Sequence, residues 1–176
     1  MGSRLPTEEE ALNLLRKSGC SKDVINHCRA VSELAVELAR KLNDKGFKID
    51  LELVKVGALL HDIGRSKTHT VDHVIVGSKI AKSLGLPKSL ISIIERHAGG
   101  GITSKEAREL GWPEGVYTPQ TLEEKIVCYA DKLIGGTKRI PLEKTLKDLA
   151  LKLGEKHPAL ERLRKLDEEM RRLLED

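Results

Sequence analysis

Apolar residues recur along this chain at steps of three and four rather than in alternation. That spacing predicts amphipathic helices, and no segment carries the period-two pattern of a strand. Thr7 with Glu10 forms a capping box that opens a first helix toward Lys17, and Gly19 stops it. Ser21 can cap a long second helix, with Val24, Cys28, Val31, Leu34, Leu38 and Leu42 on one stripe, broken by Asn43–Lys48. Asp50 can cap a third, from Leu51 to about His61, apolar almost all round and therefore central to the domain. Residues 64–70 read as a polar loop. A fourth helix runs from near Val71 to Gly85, and a fifth from Pro87, in its first turn, to about His97. A loop at Gly99–Gly101, a short helix Ser104–Leu110 and an irregular stretch Trp112–Gln120 follow. Thr121 with Glu124 opens another capped helix through Leu133, ended by Gly135 and Gly136. Two amphipathic helices, Leu142–Leu153 and Ala159–Leu174, complete an all-α chain. The Leu160–Leu174 stripe is expected to pack on the core; a homodimer contact is its other use.

Composition narrows the class. Aromatic residues make up 2% of the 176 residues, so the core is aliphatic, and charged residues make up 33%, which favours helix over sheet. A net charge of +4, with basic and acidic residues interleaved, is not a nucleic-acid-binding composition. No apolar run is long enough for a membrane span, and residues 1–6 lack the apolar segment of a leader; Gly2 and Ser3 read as a cloning remnant. Cys20, Cys28 and Cys128, odd in number and without CxxC spacing, read as free thiols, and the expected location is cytoplasmic.

Five of the six histidines fall between residues 27 and 97. His27 shares an apolar helix face, the pair His61-Asp62 ends the most apolar helix, and His73, His97 and Asp131 each border apolar positions. Several polar groups aimed at one interior are costly unless they satisfy one another, and shared coordination of a divalent transition metal would do so. Taken singly, a histidine on an apolar face is better explained by an ordinary core hydrogen bond, and Asp131 by capping or by pairing with Lys132; the adjacent His61-Asp62 pair and the joint pattern point to metal. His69, four residues before His73, competes with it as a ligand, and helix register favours His73. His157 is expected at the surface.

The order His27, His61-Asp62, Asp131, within "ALLHDIGR" (58–65) and "VCYADKL" (127–133), resembles the HD superfamily of metal-dependent phosphohydrolases. The likeness covers roughly residues 20–140 and implies a helical HD domain over 7–140, with 141–176 as a C-terminal helical extension packed on the core. Within that superfamily the chain is similar to small bacterial proteins that hydrolyse diadenosine tetraphosphate symmetrically. They share a His before a Gly-containing helix, as in His73–Gly77, and a His-x-x-Gly loop, as in His97–Gly100. This likeness implies one ion on His27, His61, Asp62 and Asp131, and a second on His73 and His97, bridged by Asp62. One or two ions are expected, of Fe, Mn, Ni, Co or Zn, and a hydroxide held there would attack phosphorus. The segment Ile134–Thr137 departs from those enzymes, which carry an acidic residue and a proline there.

The catalytic assignment is His61 and Asp62, assisted by Arg65 and Lys132. Phosphate contacts are expected from Arg65, Lys67, Lys132 and the backbone of Gly99 and Gly100. Arg29 turns away from His27 by about 200° on its helix. The expected substrate is a phosphorylated small molecule, a nucleotide first, with Trp112, Tyr117 and Tyr129 the stacking candidates. Two other functions fit the same ligands: an HD-type di-iron oxygenase, like inositol oxygenase, and a non-catalytic nucleotide-binding module that keeps its metal.

Overall fold

The computed structural model describes residues 4–175, so Gly2 and Ser3 lie outside the described residues. The helices are α1 (Glu8–Ser18), α2 (Lys22–Asp44), α3 (Leu51–Leu60), α4 (His73–Ser83), α5 (Lys88–Glu95), α6 (Ser104–Glu109), α7 (Leu122–Lys132), α8 (Leu142–Leu153) and α9 (Pro158–Leu174). Capping decides most of the boundaries. Thr7 and Thr121 form the expected capping boxes, Thr103 with Glu106 forms a third, and Ser21 and Asp50 cap α2 and α3.

Several boundaries differ from the expectation for physical reasons. Helix α4 begins at His73 rather than near Val71, because the Asp72 carboxylate makes no capping bond and instead accepts from Trp112 Nε1 at 2.7 Å. Pro87 stands at the N-cap of α5, one step before the first turn. Part of the expected loop is a 3-10 turn, Ile63–Ser66. His157 caps α9 by accepting the Ala159 N–H at 3.1 Å, so the helix starts at Pro158, one residue early. The expectation of no strand is corrected by a short hairpin, β1 (Ile134–Gly135) with β2 (Lys138–Arg139). Two-residue strands carry no readable period. The turn signal was Gly136, whose φ of +61° suits a two-residue hairpin loop.

Helix α3 lies between two aliphatic clusters, as its all-round apolarity predicts. One cluster joins α2, α3 and α7 to α8 and α9 through Leu146, Leu160, Leu163 and Met170. The other gathers Leu12 and Leu15 of α1 with Leu59, Leu60 and Ile94. Trp112 and Tyr117 form a third with Val74, Ala98 and Ala107. Because Leu163 is fully buried in the first cluster, Leu163→Ala is expected to cost about 3 kcal/mol. Urea unfolding should remain one transition with a lower midpoint; an unshifted main transition would show that the extension is not part of the cooperative unit.

Candidate metal centre

The positions of the six candidate ligands follow from the ends of four helices and one helix face. His61-Asp62 sits where α3 runs out, His73 opens α4, His97 follows α5, and His27 and Asp131 project from α2 and α7. What presses α4 against the His-Asp pair is a backbone contact. A Cβ on Gly64 would lie 1.9 Å from the His73 carbonyl oxygen and 2.7 Å from the Gly77 nitrogen, so only glycine fits there.

The ligand atoms form two groups that share Asp62. His27, His61, Asp62 and Asp131 make one, and Asp62, His73 and His97 the other, with the candidate atoms of each within 4.8 Å of one another. His27 Nε2 and His61 Nε2 stand 2.9 and 3.2 Å from Asp131 Oδ1. His73 Nε2 and His97 Nε2 each stand 3.2 Å from Asp62 Oδ1 and 3.0 Å from each other.

The backbone fixes how these rings are protonated. Nδ1 of His27 bonds the Gly136 carbonyl at 2.7 Å, that of His61 the Ala58 carbonyl at 2.5 Å, that of His73 the Thr70 carbonyl at 2.8 Å, and that of His97 the Ile94 carbonyl at 2.7 Å. A carbonyl only accepts, so all four Nδ1 atoms carry hydrogen and the Nε2 atom of each neutral ring presents a lone pair. Lone pairs of imidazoles and carboxylates therefore converge with too few hydrogens between them. Asp62 Oδ1 is buried and makes no hydrogen bond, despite two ring nitrogens at 3.2 Å. A divalent cation resolves this arrangement, and backbone-anchored imidazoles with carboxylates are a donor set that fits one.

Charge is held in place throughout the cluster. Burial opposes ionisation of Asp62 and Asp131, but His61 beside Asp62, and Lys132 then His61 beside Asp131, keep both carboxyls well below the usual range. Burial works against protonation of His61 too, yet Asp62 and Asp131 raise it well above an ordinary histidine. His97 is pushed down to about 4, chiefly by burial. Lys132 is buried; Asp131 overcomes the cost and keeps its ammonium raised, with Nζ 2.7 Å from Asp131 Oδ2 and donating to the His97 carbonyl at 2.8 Å.

Beside the cluster lies a cavity of about 550 Å³, bordered by His73, His97, Asp131, Lys132, Arg65 and Gly99. Arg65 is tied through Nε to Asp62 Oδ2 at 3.1 Å and donates from Nη1 to the His69 carbonyl at 3.2 Å. His69 itself is exposed on the cavity wall and belongs to neither ligand group, so the structure groups His73 rather than His69 with Asp62. Lys67 is exposed and not on the cavity, and Arg29 lines a separate groove between α1, α2 and α3. Gly100 is not on the cavity either; a Cβ there would lie 2.7 Å from the Leu163 nitrogen, so this glycine permits α9 to approach. The stacking candidates are corrected outright. Trp112, Tyr117 and Tyr129 are buried, their polar atoms bonded to Asp72, the Pro113 carbonyl and Asp167, and none reaches the cavity.

Sequence reading missed the cavity's other wall. Leu149, Lys152 and Leu153 of α8, with His157 and Arg162, border it, so His157 is not simply a surface residue. The available signal was the amphipathic α8 with a histidine just before Pro158. The cysteines are free, as expected, and Cys128 Sγ donates to the His97 and Gly99 carbonyls at 3.5 and 3.2 Å, holding the loop after α5. Among the described residues no helix is long and apolar enough to cross a membrane.

Comparison with known proteins agrees with this architecture. Residues 24–135 match the HD domain family. The uncharacterized protein MJ0778 of Methanocaldococcus jannaschii is 50% identical over 94% of this chain and 98% of its own length. A tRNA (cytidine(56)-2'-O)-methyltransferase of Thermoplasma volcanium is 43% identical over 89% of the chain, and the chain spans 47% of that relative. A ribonuclease Y of Acidothermus cellulolyticus is 29% identical over 68% of the chain and 21% of its own length. Among solved structures, the HD domain of the Listeria monocytogenes phosphodiesterase PgpH, in complex with cyclic-di-AMP, superposes with a TM-score of 0.55 at 20% identity, covering 89% of this chain and 92% of that one.

Proposed function

Since the chain belongs to the HD domain family, we propose that it is a metal-dependent phosphohydrolase that cleaves a phosphoester bond of a nucleotide-like substrate. One observation carries the reading: four imidazoles anchored through Nδ1–H to the backbone aim Nε2 at two ionised carboxylates, leaving Asp62 Oδ1 without a hydrogen bond. His27, His61, Asp62 and Asp131 would hold one ion, and Asp62, His73 and His97 a second. Such ions would supply an activated water and neutralise phosphate charge. Lys132 and Arg65 border the adjoining cavity, where their charge offsets that of a bound phosphate. Each is also braced against a ligand carboxylate, Lys132 on Asp131 and Arg65 on Asp62, so both position ligands as well as bind substrate. The similarity to a ribonuclease Y, and to a phosphodiesterase in fold, supports a phosphodiester as the bond attacked.

The deciding test is to load the purified protein with Mn²⁺, Ni²⁺, Fe²⁺, Co²⁺ or Zn²⁺ and assay bis(p-nitrophenyl) phosphate. Metal-dependent release of nitrophenolate is expected. Substrate-dependent oxygen consumption without hydrolysis would instead identify an oxygenase.

Loading should also release protons. Without metal, Asp62 and Asp131 raise His61 well above its ordinary value, the direction that keeps a proton on its Nε2. An ion on Nε2 must displace that proton. Calorimetric titration at pH 7 in two buffers of different ionisation enthalpy should show about one proton released for the first ion. Buffer-independent heats would rule out His61 as a ligand.

A further inference from the structure

The cavity beside the ligand cluster is too large and too apolar for phosphate alone. Its volume of about 550 Å³ falls within the range of small-molecule sites. Three of the six large hydrophobic residues that stand exposed among the described residues, Val71, Leu110 and Leu153, line this one cavity, with Ile102 and Leu149 alongside. Scattered exposed leucines need no explanation, but a gathering around a catalytic cavity does. The phenylalanine, the tryptophan and both tyrosines contribute no ring to this wall, since none of them lines the cavity. The wall also lies partly outside the family match, which ends at residue 135, whereas Leu149, Lys152, Leu153 and His157 follow it.

We propose that the C-terminal extension, through Leu149 and Leu153 together with Leu110 and Ile102, forms a nucleoside seat in which a flat base lies on aliphatic side chains while its phosphate reaches the metal centre. The inference rests on the phosphohydrolase reading and adds its specificity element. Lys152, which makes no ion pair among the described residues, and His157 supply polar contacts at the seat. His157 Nδ1 accepts the Ala159 N–H, so its Nε2–H is left to donate. Free nucleotides and the end of an oligonucleotide present the same nucleoside phosphate.

The test measures equilibrium binding of AMP and of inorganic phosphate to the full-length, metal-loaded protein. AMP should bind about tenfold more tightly, the gain from burying roughly 55 Å² of apolar surface. Leu153→Asp should erase that margin while leaving phosphate affinity and metal content unchanged. Leu110→Asp, on a different element, should do the same; both positions are more than two-fifths exposed, at 46% and 43%, so neither charge is forced into the core. Leu151→Asp, on the same helix but 86% exposed and off the cavity, is the control. If phosphate binds and both cavity variants keep the AMP margin, the seat is wrong. If phosphate does not bind the loaded protein at all, the phosphohydrolase reading fails and the seat falls with it. Displacement of AMP by pApA but not by a ten-residue oligoadenylate would assign the seat to free nucleotides, and the reverse to an oligonucleotide end. Displacement by neither would overturn it.

Discussion

Asp62→Ala is expected to leave a folded protein that holds no stoichiometric metal and hydrolyses bis(p-nitrophenyl) phosphate roughly a thousandfold more slowly, the rate equivalent of losing about 4 kcal/mol of charge stabilisation by the metal. Asp62 belongs to both ligand groups, so no single alternative carboxylate can replace it. It also fixes its neighbours: Arg65 binds its Oδ2 and His61 draws its raised protonation chiefly from it. Asp62→Asn keeps the shape and should still lose the metal, because an amide cannot supply the negative charge. Metal analysis after dialysis, steady-state kinetics and far-UV circular dichroism separate the outcomes. A folded Asp62→Ala protein with wild-type metal content and turnover within tenfold would end the shared-carboxylate account.

The second large effect is at a glycine with no chemistry of its own. Gly64→Ala should destabilise the protein by about 3 kcal/mol. For a chain of this length that lowers the thermal midpoint by roughly 6–12 °C. The added methyl would meet the His73 carbonyl at 1.9 Å and the Gly77 nitrogen at 2.7 Å, both backbone atoms that move only if α4 moves. Since α4 begins at His73, the damage should fall unevenly. The His73–His97 group should lose its ion while the His27–Asp131 group retains one, so metal content drops from two equivalents toward one. Retention of both ions at an unchanged midpoint would show that α4 does not depend on this contact.

These cases also show what the linear sequence could convey. The helices were legible because capping is local: Thr7, Ser21, Asp50 and Thr121 each bond an N–H three residues on. The ligand candidates were legible because polar residues interrupt apolar faces at the ends of buried helices, where an isolated histidine or aspartate is expensive. The packing role of Gly64 and Gly77 gave no such signal, since it depends on two backbones meeting across the fold. The α8 wall was hidden for a similar reason. Its leucines suit a helix packed on the core, and only their placement next to the cluster reveals another use. Trp112 misled in the opposite direction: a ring in a polar excursion looked available for stacking, but its N–H is committed to Asp72.

The hairpin bears on how long an ion on His27 would stay. His27 has the most solvent-exposed side chain of the six candidate ligands, at 19%, and its Nδ1 is steadied by the carbonyl of Gly136. That carbonyl sits in a two-residue loop whose outer strand is fastened to α2 by an exposed pair, Arg139 with Glu37. Such peripheral segments open far more often than the bundle unfolds. The residence time of an ion held on His27 would therefore be set in part at a surface loop, where a substitution should change the escape rate without touching the buried candidate ligands.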